Sequence, residues 1–275
     1  MSEAVISIEG LEKSYGKHKV LKGIDMHINK GDIYGLIGKN GAGKTTLFKA
    51  ILGLSEFEAG ELSIVGAKGR KANAAARNRI GFLVGTAQYG YLSGRANLEY
   101  FRRIKGITDK NEVDRVLEVV GLDETAAKRA AKGYSLGMKQ RLGIANALLG
   151  NPDILIFDEP TNGLDPQGIM DIRNLMQKIN EEYGTTIIVS SHILGELQNT
   201  AHRFGILHEG IMMRELVQDD FRIQKDITSI NVSDKDVDKA VKLLEDNGIT
   251  VHGTAQAESS LEDYYFDLIG GGADA

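Results

Sequence analysis

Eight consecutive residues near the beginning of the chain have the types and the spacing that bind phosphate groups. The segment 38–45 reads G-K-N-G-A-G-K-T and fits the pattern G-x-x-x-x-G-K-[ST]. Its glycines let the backbone curve tightly, so that several N–H groups can point at phosphate oxygens. Lys44 is placed to reach the β- and γ-phosphates of ATP, and the Thr45 hydroxyl is placed to bind Mg²⁺. The predicted nucleotide contacts of the loop are Gly38, Asn40, Gly41, Gly43, Lys44, Thr45 and Thr46.

The segments around this loop are typical of an α/β domain. Residues 33–38 form a nearly continuous apolar run that ends in glycine, which predicts a buried strand leading into the loop. Similar runs occur at 154–157 and 186–189, and helical patterns separate the three runs. Strands that alternate with helices predict a parallel sheet. This setting favours a phosphate loop over the alternative, a glycine-rich turn that contains a lysine by chance.

Two carboxylates follow the second of these predicted strands. Asp158 and Glu159 come directly after the apolar residues 154–157. Ligands of open α/β sheets bind at the carboxyl ends of the strands, so both acids should lie beside the nucleotide. We expect Asp158 to support Mg²⁺ and Glu159 to polarise the attacking water. A solvated turn that only caps the strand is the competing interpretation, and the preceding phosphate loop disfavours it.

Other parts of the chain have different patterns. Residues 5–9 and 24–28 alternate apolar and polar side chains, which predicts half-buried antiparallel strands. Residues 85–140 are helical in pattern and predict a helical subdomain inserted into the α/β core. Two apolar runs flank positions 209–210, Glu-Gly, and predict a hairpin there.

The composition changes near Asp220. This change predicts an ATP-binding domain at 1–219 and a small α+β appendage at 220–275. The appendage contains three patterns. They predict a strand through Ile230 and Val232, a helix with Val237, Ala240, Val241 and Leu244 on one face, and a helix that begins at Ser260.

Bulk composition excludes several classes of protein. The 275 residues are 42% hydrophobic, enough for a large core, and the net charge of -5 argues against a nucleic-acid partner. The absence of cysteine excludes disulfides and thiolate metal sites. The first ten residues contain two glutamates and no long apolar run, so we expect no signal peptide. No segment approaches the ~18 apolar residues of a membrane span. These features predict a soluble cytoplasmic chain that reaches a membrane only through a partner.

A further motif distinguishes this chain from other phosphate-loop proteins. Residues 134–141 read Y-S-L-G-M-K-Q-R, and Ser135 is a good N-cap for the helical stretch that follows. The motif resembles the signature of ATP-binding cassette (ABC) transporters, with Ser135 and Gly137 matching and with Leu136 and Met138 departing from it. The resemblance extends from Val5 to Met213. It implies a P-loop NTPase fold with a RecA-like parallel-sheet core, an antiparallel β-subdomain and an inserted helical subdomain.

The resemblance also assigns roles to residues outside the phosphate loop. Ser135 and Gly137 would face the γ-phosphate of an ATP held by a second subunit. Asp165, in the segment N-G-L-D, is similar to the loop residue that crosses the dimer interface. His192 follows a predicted strand and resembles the switch histidine that contacts the γ-phosphate. Tyr15 matches the aromatic residue that stacks on adenine.

One expected residue is absent from its usual place. The family has a glutamine after the strand that enters the helical subdomain, and this chain has Gly85 there. Gln88 lies three residues further on. Either a bulged loop brings Gln88 to the nucleotide as a substitute, or this subunit dispenses with the contact.

The resemblance implies the function and its partners. Two copies would form a homodimer around ATP and drive a separate integral-membrane permease from the inner face of the cell membrane. The form of the signature is similar to the subgroup that acts in bacitracin-type and lantibiotic resistance, which implies export of antimicrobial peptides or immunity to them. The alternatives are a soluble ABC-type ATPase that acts on ribosomes or DNA, and an unrelated P-loop kinase.

Overall fold

The computed structural model describes residues 3–85, 88–192, 194–198, 200–221, 230, 232–233 and 236–251. The chain forms two compact units, Met1–Gln218 and Asp219–Ala275. The strands of the described residues are β1 (Ala4–Tyr15), β2 (His18–Asn29), β3 (Ile33–Ile37), β4 (Ala59–Ile64), β5 (Ala67–Lys68), β6 (Ile80–Leu83), β7 (Ile154–Asp158), β8 (Thr186–Ser191), β9 (Arg203–His208) and β10 (Ile211–Val217). The helices there are α1 (Lys44–Ile51), α2 (Arg70–Ala76), α3 (Gly94–Ile104), α4 (Glu112–Val119), α5 (Glu124–Lys128), α6 (Leu136–Leu148), α7 (Pro166–Tyr183), α8 (Leu194–Gln198), α9 (Gln218–Phe221) and α10 (Val237–Asp246).

A six-stranded sheet forms the centre of the first unit. Its strand order is β10-β9-β3-β8-β7-β6, and all pairs except β9 with β10 are parallel. Every residue of β3 and β8 is buried, as expected of strands covered on both faces. The three apolar runs therefore form the predicted parallel core. Parallel pairing places the carboxyl ends of β3, β7 and β8 at one edge of the sheet.

A second sheet is antiparallel, with the strand order β2-β1-β4-β5, and it packs against β3 and α1 of this core. Ile6 and Ile8 of β1 are buried, as are Met26 and Ile28 of β2, and exposed or half-buried residues alternate with them. Their side chains belong to the same hydrophobic core as Phe48 of α1. This packing fixes the helix that begins at the phosphate loop.

Helices α3 to α6 lie between β6 and β7 in the sequence and form the inserted helical part. The predicted apolar face of α4 is buried, because Val113, Val116, Leu117 and Val120 are each at most 4% exposed. The face packs against neighbouring helices, including α3 and α6. The helical spacing of these four residues therefore corresponds to one buried face.

Helix α6 extends beyond position 140 and packs tightly on β6. A Cβ atom at Gly81 would lie 2.0 Å from the carbonyl oxygen of Ala147, so only glycine allows this approach. The Lys105 ammonium donates to the carbonyls of Asn146 at 3.0 Å and Leu149 at 3.3 Å and caps the end of α6. Burial lowers the pKa of Lys105 to about 8. These contacts hold the C-terminal end of α6. The first turn of the helix, at its other end, lies near the carboxyl ends of the parallel strands.

The remaining predicted elements have mixed outcomes. The hairpin of β9 and β10 turns at Glu209 and Gly210, both with positive φ angles. In the second unit, α10 forms over the predicted helical residues and ends before Asn247. The strand expected through Ile230 and Val232 includes position 231, which lies outside the described residues. The helix expected from Ser260 lies outside them as well. No helix in the described ranges is long and apolar enough to cross a membrane.

Candidate nucleotide-binding and hydrolysis site

The loop between β3 and α1 has a backbone that depends on glycine. Gly41 and Gly43 have φ angles of 86° and 111°, in the left-handed region that other residues adopt at a cost. A Cβ atom at Gly38 would lie 2.5 Å from the carbonyl oxygen of Leu207, so the loop passes directly over β9. The predicted glycines are therefore required by the shape of the loop.

Lys44 is folded back across this loop. Its side chain is 5% exposed, and its ammonium donates to the carbonyl oxygens of Gly38 at 2.6 Å and Lys39 at 3.3 Å. The same ammonium lies 3.2 Å from Oε1 of Glu159. All these partners are oxygen acceptors, and phosphate oxygens are chemically equivalent replacements for them.

Asp158 accepts two hydrogen bonds from hydroxyl groups. The Thr45 hydroxyl donates to Oδ2 at 2.6 Å, and the Ser190 hydroxyl donates to Oδ1 at 2.7 Å. Thr45 is the second residue of α1, whereas Asp158 ends β7. A hydroxyl that donates one hydrogen bond keeps two lone pairs, so Thr45 can still bind a cation.

Glu159 contacts a side chain at each end of its carboxylate. Oε1 faces Lys44, while Oε2 lies 3.4 Å from Nδ1 of His192 and accepts from Nδ2 of Asn162 at 3.2 Å. The backbone N–H of Glu159 donates to the Ser190 hydroxyl at 2.9 Å. The carboxylate side chain is 22% exposed, so water can reach it.

A cavity of about 590 Å³ lies at this edge of the sheet. Its volume is in the range of small-ligand sites. The predicted residues in its wall are Asn40, Gly41, Gly43, Lys44, Thr45, Thr46, Gln88, Asp158 and Glu159. The other residues in its wall, which were not predicted as nucleotide contacts, are Val20, Lys39, Ala42, Leu83, Gly85, Leu136, Lys139, Gln140 and Asn162.

Comparison with known proteins identifies the family. The profile of the family described as "ABC transporter" matches residues 21–162. The bacitracin transport ATP-binding protein BcrA of Bacillus licheniformis is 38% identical, and the match covers 98% of each chain. The chain belongs to the ABC transporter family. It is an ATP-binding and ATP-hydrolysing subunit of an ABC transporter, as the signature resemblance implies.

Other relatives support the same family and fold. The lantibiotic transport ATP-binding protein SrtF of Streptococcus pyogenes is 40% identical over 77% of this chain and 90% of its own length. The dimeric ABC cassette MJ0796, solved in a post-hydrolysis state with ADP and Pi, matches with a TM-score of 0.70 and 27% identity over 78% of this chain and 98% of its own. The cbiO1 subunit of Clostridium perfringens, part of the ABC transporter complex cbiONQ, matches with a TM-score of 0.72 and 26% identity over 90% of this chain and 98% of its own. These structures confirm the predicted P-loop NTPase fold.

The ABC signature residues lie at the beginning of α6. Ser135 is the N-cap, and its hydroxyl accepts from the N–H of Met138 at 3.2 Å. A Cβ atom at Gly137 would contact only Leu164, at 3.9 Å. Neither Ser135 nor Gly137 lines the cavity of its own chain. Ser135 is exposed and Gly137 is half-buried at the first turn of α6.

Asp165, Tyr15 and His192 also lie outside the cavity wall. Asp165 is the N-cap of α7, and its Oδ1 accepts from the N–H of Gly168 at 3.0 Å. Tyr15, at the end of β1, is 51% exposed, and its hydroxyl lies 3.3 Å from the hydroxyl of Ser55. The Lys13 ammonium lies 5.1 Å from the centre of the Tyr15 ring. The adenine-stacking role of Tyr15 stays a prediction.

Gln88 lines the cavity together with Gly85 and Lys139. Its amide nitrogen donates a hydrogen bond to the carbonyl oxygen of Lys139, in the first turns of α6. Gly85 has a φ angle of 73°, which turns the chain sharply after β6. The contact joins the loop after β6 to the signature helix. Whether Gln88 contacts the nucleotide stays a prediction.

Ser190 is a residue of this candidate site that the sequence reasoning missed. Its side chain is fully buried, and it contacts both Asp158 and Glu159. The signal in the sequence is a pair of polar residues, Ser190 and Ser191, that ends the apolar run of β8 just before His192. That signal alone does not reveal which residue the hydroxyl contacts, because the order of strands in the sheet is not local information.

Proposed function

We propose that this ABC subunit forms a homodimer around ATP and Mg²⁺ and drives a separate membrane permease. The proposed transport is export of antimicrobial peptides of the bacitracin or lantibiotic kind, which would give resistance or immunity. The names of BcrA and SrtF support this subgroup, and BcrA matches almost the full length of the chain. The observation that bears most weight is Glu159, which lies between the phosphate-loop lysine and the switch histidine.

The proposed binding of Mg²⁺ rests on Thr45 and Asp158. Their hydroxyl and carboxylate oxygens are hard ligands 2.6 Å apart, which suits an ion that prefers oxygen. Mg²⁺ usually takes one or two protein oxygens and completes its coordination with phosphates and water, so no larger cluster is needed. The ion would neutralise charge that develops on the phosphate oxygens. Thr45 would bind the ion through a lone pair while its hydroxyl continues to donate its hydrogen bond to Asp158.

Binding of ATP would rearrange Lys44 and Glu159. Phosphate oxygens compete with the Glu159 carboxylate for the Lys44 ammonium, because both are anionic acceptors. Once Lys44 turns to the phosphates, Oε1 of Glu159 is released and can accept a hydrogen bond from the attacking water. His192 and Asn162 remain at Oε2 and hold the carboxylate in place. Glu159 thus polarises water only when the loop is filled.

The proposed dimer explains the residues outside the cavity wall. Ser135 is the N-cap of α6, where the amides of the first turn and the helix dipole favour an anion. We propose that this end of the helix binds the γ-phosphate on the partner subunit. Asp165, exposed at the beginning of α7, would cross the same interface. The dimeric state of the MJ0796 cassette supports this arrangement.

The proposed location is cytoplasmic, on the inner face of the cell membrane. The permease would contact the helical part and the loop that contains Gln88, since that loop joins the core to α6. When α6 moves towards the ATP of the partner subunit, the helical part and the loop with Gln88 would move with it and displace the permease. A net charge of -5 is in keeping with a protein partner rather than a nucleic acid.

Capture from native membranes tests the proposal. The tagged chain is expressed in its own host, membranes are solubilised in mild detergent, and the co-purifying proteins are identified. We expect an integral-membrane protein in stoichiometric amount and an ATPase rate that bacitracin or a lantibiotic stimulates. Recovery of the chain only from the soluble fraction, bound to ribosomes or DNA, would instead support the alternative function.

A further inference from the structure

Ser190 lies at the point where two neighbouring strands bring the candidate catalytic residues together. Strands β7 and β8 are parallel, and Ser190 is paired directly with Asp158. Residues paired in this way point to the same face of the sheet, so the two side chains meet. Ser190 is 0% exposed, and water therefore cannot take over its hydrogen bonds.

The chemistry of the groups fixes the direction of both hydrogen bonds. The N–H of Glu159 can only donate, so the Ser190 oxygen accepts from it at 2.9 Å. The single proton of the hydroxyl then goes to Oδ1 of Asp158 at 2.7 Å. One hydroxyl thus joins the backbone of Glu159 to the carboxylate of Asp158.

The backbone of Glu159 needs such support. Its φ angle is 51°, in the left-handed region, which is unfavourable for a residue with a Cβ atom. The bond to Ser190 uses the N–H at this strained residue. Strain of this kind persists only where surrounding contacts hold it.

We propose that Ser190 is a positioning residue that sets the Glu159 carboxylate and the Asp158 carboxylate in one fixed relation. Its hydroxyl orients Asp158 for the cation and turns the chain so that the Glu159 side chain points between Lys44 and His192. The inference rests on the proposed roles of Asp158 and Glu159. Ser190 is fully buried and is not part of the cavity wall, so it acts through these two residues.

The inference makes a specific prediction for Ser190→Ala. Loss of the hydroxyl leaves a buried N–H without its partner and frees one oxygen of Asp158. A displacement of a catalytic group by about 1 Å costs about 100-fold in rate. We expect kcat to fall about 10- to 100-fold and the Mg²⁺ concentration for half-maximal rate to rise several-fold, with the Kd for ATP changed less than about threefold.

Substitutions that keep part of the chemistry separate positioning from packing. Ser190→Thr keeps the hydroxyl and suits a strand, so we expect it to restore most of the rate. Ser190→Cys keeps the size but has a weak donor and a weak acceptor, so its rate should be intermediate. Thr186→Val is the matched control. It removes another buried hydroxyl of β8, one that accepts from Gly31 at 2.9 Å, away from the site.

The experiment measures the steady-state ATPase rate against ATP and Mg²⁺ concentrations for these four variants and for Glu159→Gln. The inference would be supported if Ser190→Ala has a much lower rate than Thr186→Val and a shifted Mg²⁺ dependence. Wild-type kcat and Mg²⁺ dependence in Ser190→Ala, beside an inactive Glu159→Gln, would overturn it and leave the proposed function intact. Wild-type turnover in Glu159→Gln would instead refute the role assigned to Glu159.

Discussion

Removal of the Lys44 ammonium should abolish ATP turnover. In the structure this ammonium is nearly buried and lies within 3.3 Å of three oxygens, those of Gly38, Lys39 and Glu159. In Lys44→Ala the phosphates lose the ammonium that is folded back across the loop. A hydrogen bond to a charged group is worth about 1.5–3 kcal/mol, so the Kd for ATP should rise about 10- to 150-fold.

The loss of rate should exceed the loss of affinity. Removing a single preorganised donor from a reaction centre typically costs about 100- to 1,000-fold in kcat, or about 2.7–4 kcal/mol. We therefore expect no turnover above background in Lys44→Ala. The assay is phosphate release at saturating ATP and Mg²⁺, beside titration with a fluorescent ATP analogue. Lys49→Ala is the matched control, because Lys49 is an exposed lysine in the last turn of the same helix. Turnover within threefold of wild type in Lys44→Ala would refute the reasoning.

Two further predictions concern the loop after β6 and the second unit. Gln88→Ala should lower kcat several-fold with little change in ATP affinity, because a contact made mainly in the transition state alters the rate; ATPase assays with the permease present, beside nucleotide titrations, measure this. Truncation after Asp220 should leave the Kd for ATP within about twofold of the full-length value, a change of ~0.4 kcal/mol. The reason is that every residue of the cavity wall lies between positions 20 and 162. Titration of the folded truncated chain with ATP measures this Kd.

Each of these two predictions has a clear contrary result. An unchanged rate in Gln88→Ala would show that Gln88 is not the substitute for the missing glutamine. Its hydrogen bond to Lys139 would then only tie the loop to α6. For the truncation, circular dichroism first establishes that the shortened chain is folded. A folded chain that no longer binds ATP would make the second unit part of the site.

The parallel core and the main site residues could be predicted because their signals are local. The apolar run 33–38 predicts a buried strand, and the spacing of glycine and lysine from position 38 onward predicts the phosphate loop. Asp158 ends β7 and Glu159 follows it directly. Because the parallel strands have their carboxyl ends at one edge of the sheet, this position was enough to bring both residues to the loop.

The contacts that the sequence did not reveal join residues far apart in the chain. Ser190 meets Asp158 because β8 is inserted between β3 and β7, and the order of strands is decided by the packing of the whole sheet. The contact of Gln88 with Lys139 spans 51 positions and depends on how α6 packs on β6. Predictions from local patterns therefore identified the candidate residues at this edge and missed the residues that hold them.

The most direct test of the central claim is the oligomeric state of Glu159→Gln with ATP and Mg²⁺. Glutamine has the size of glutamate but no negative charge to polarise water, so the variant should bind ATP and turn it over very slowly. The nucleotide that joins the two subunits would then persist. Size-exclusion chromatography with light scattering should show a dimer of about 60 kDa in ATP, twice the 29.9 kDa chain, and a monomer in ADP. A variant that binds ATP at saturation and remains a monomer would contradict the proposed hydrolysis within an ATP-bound dimer.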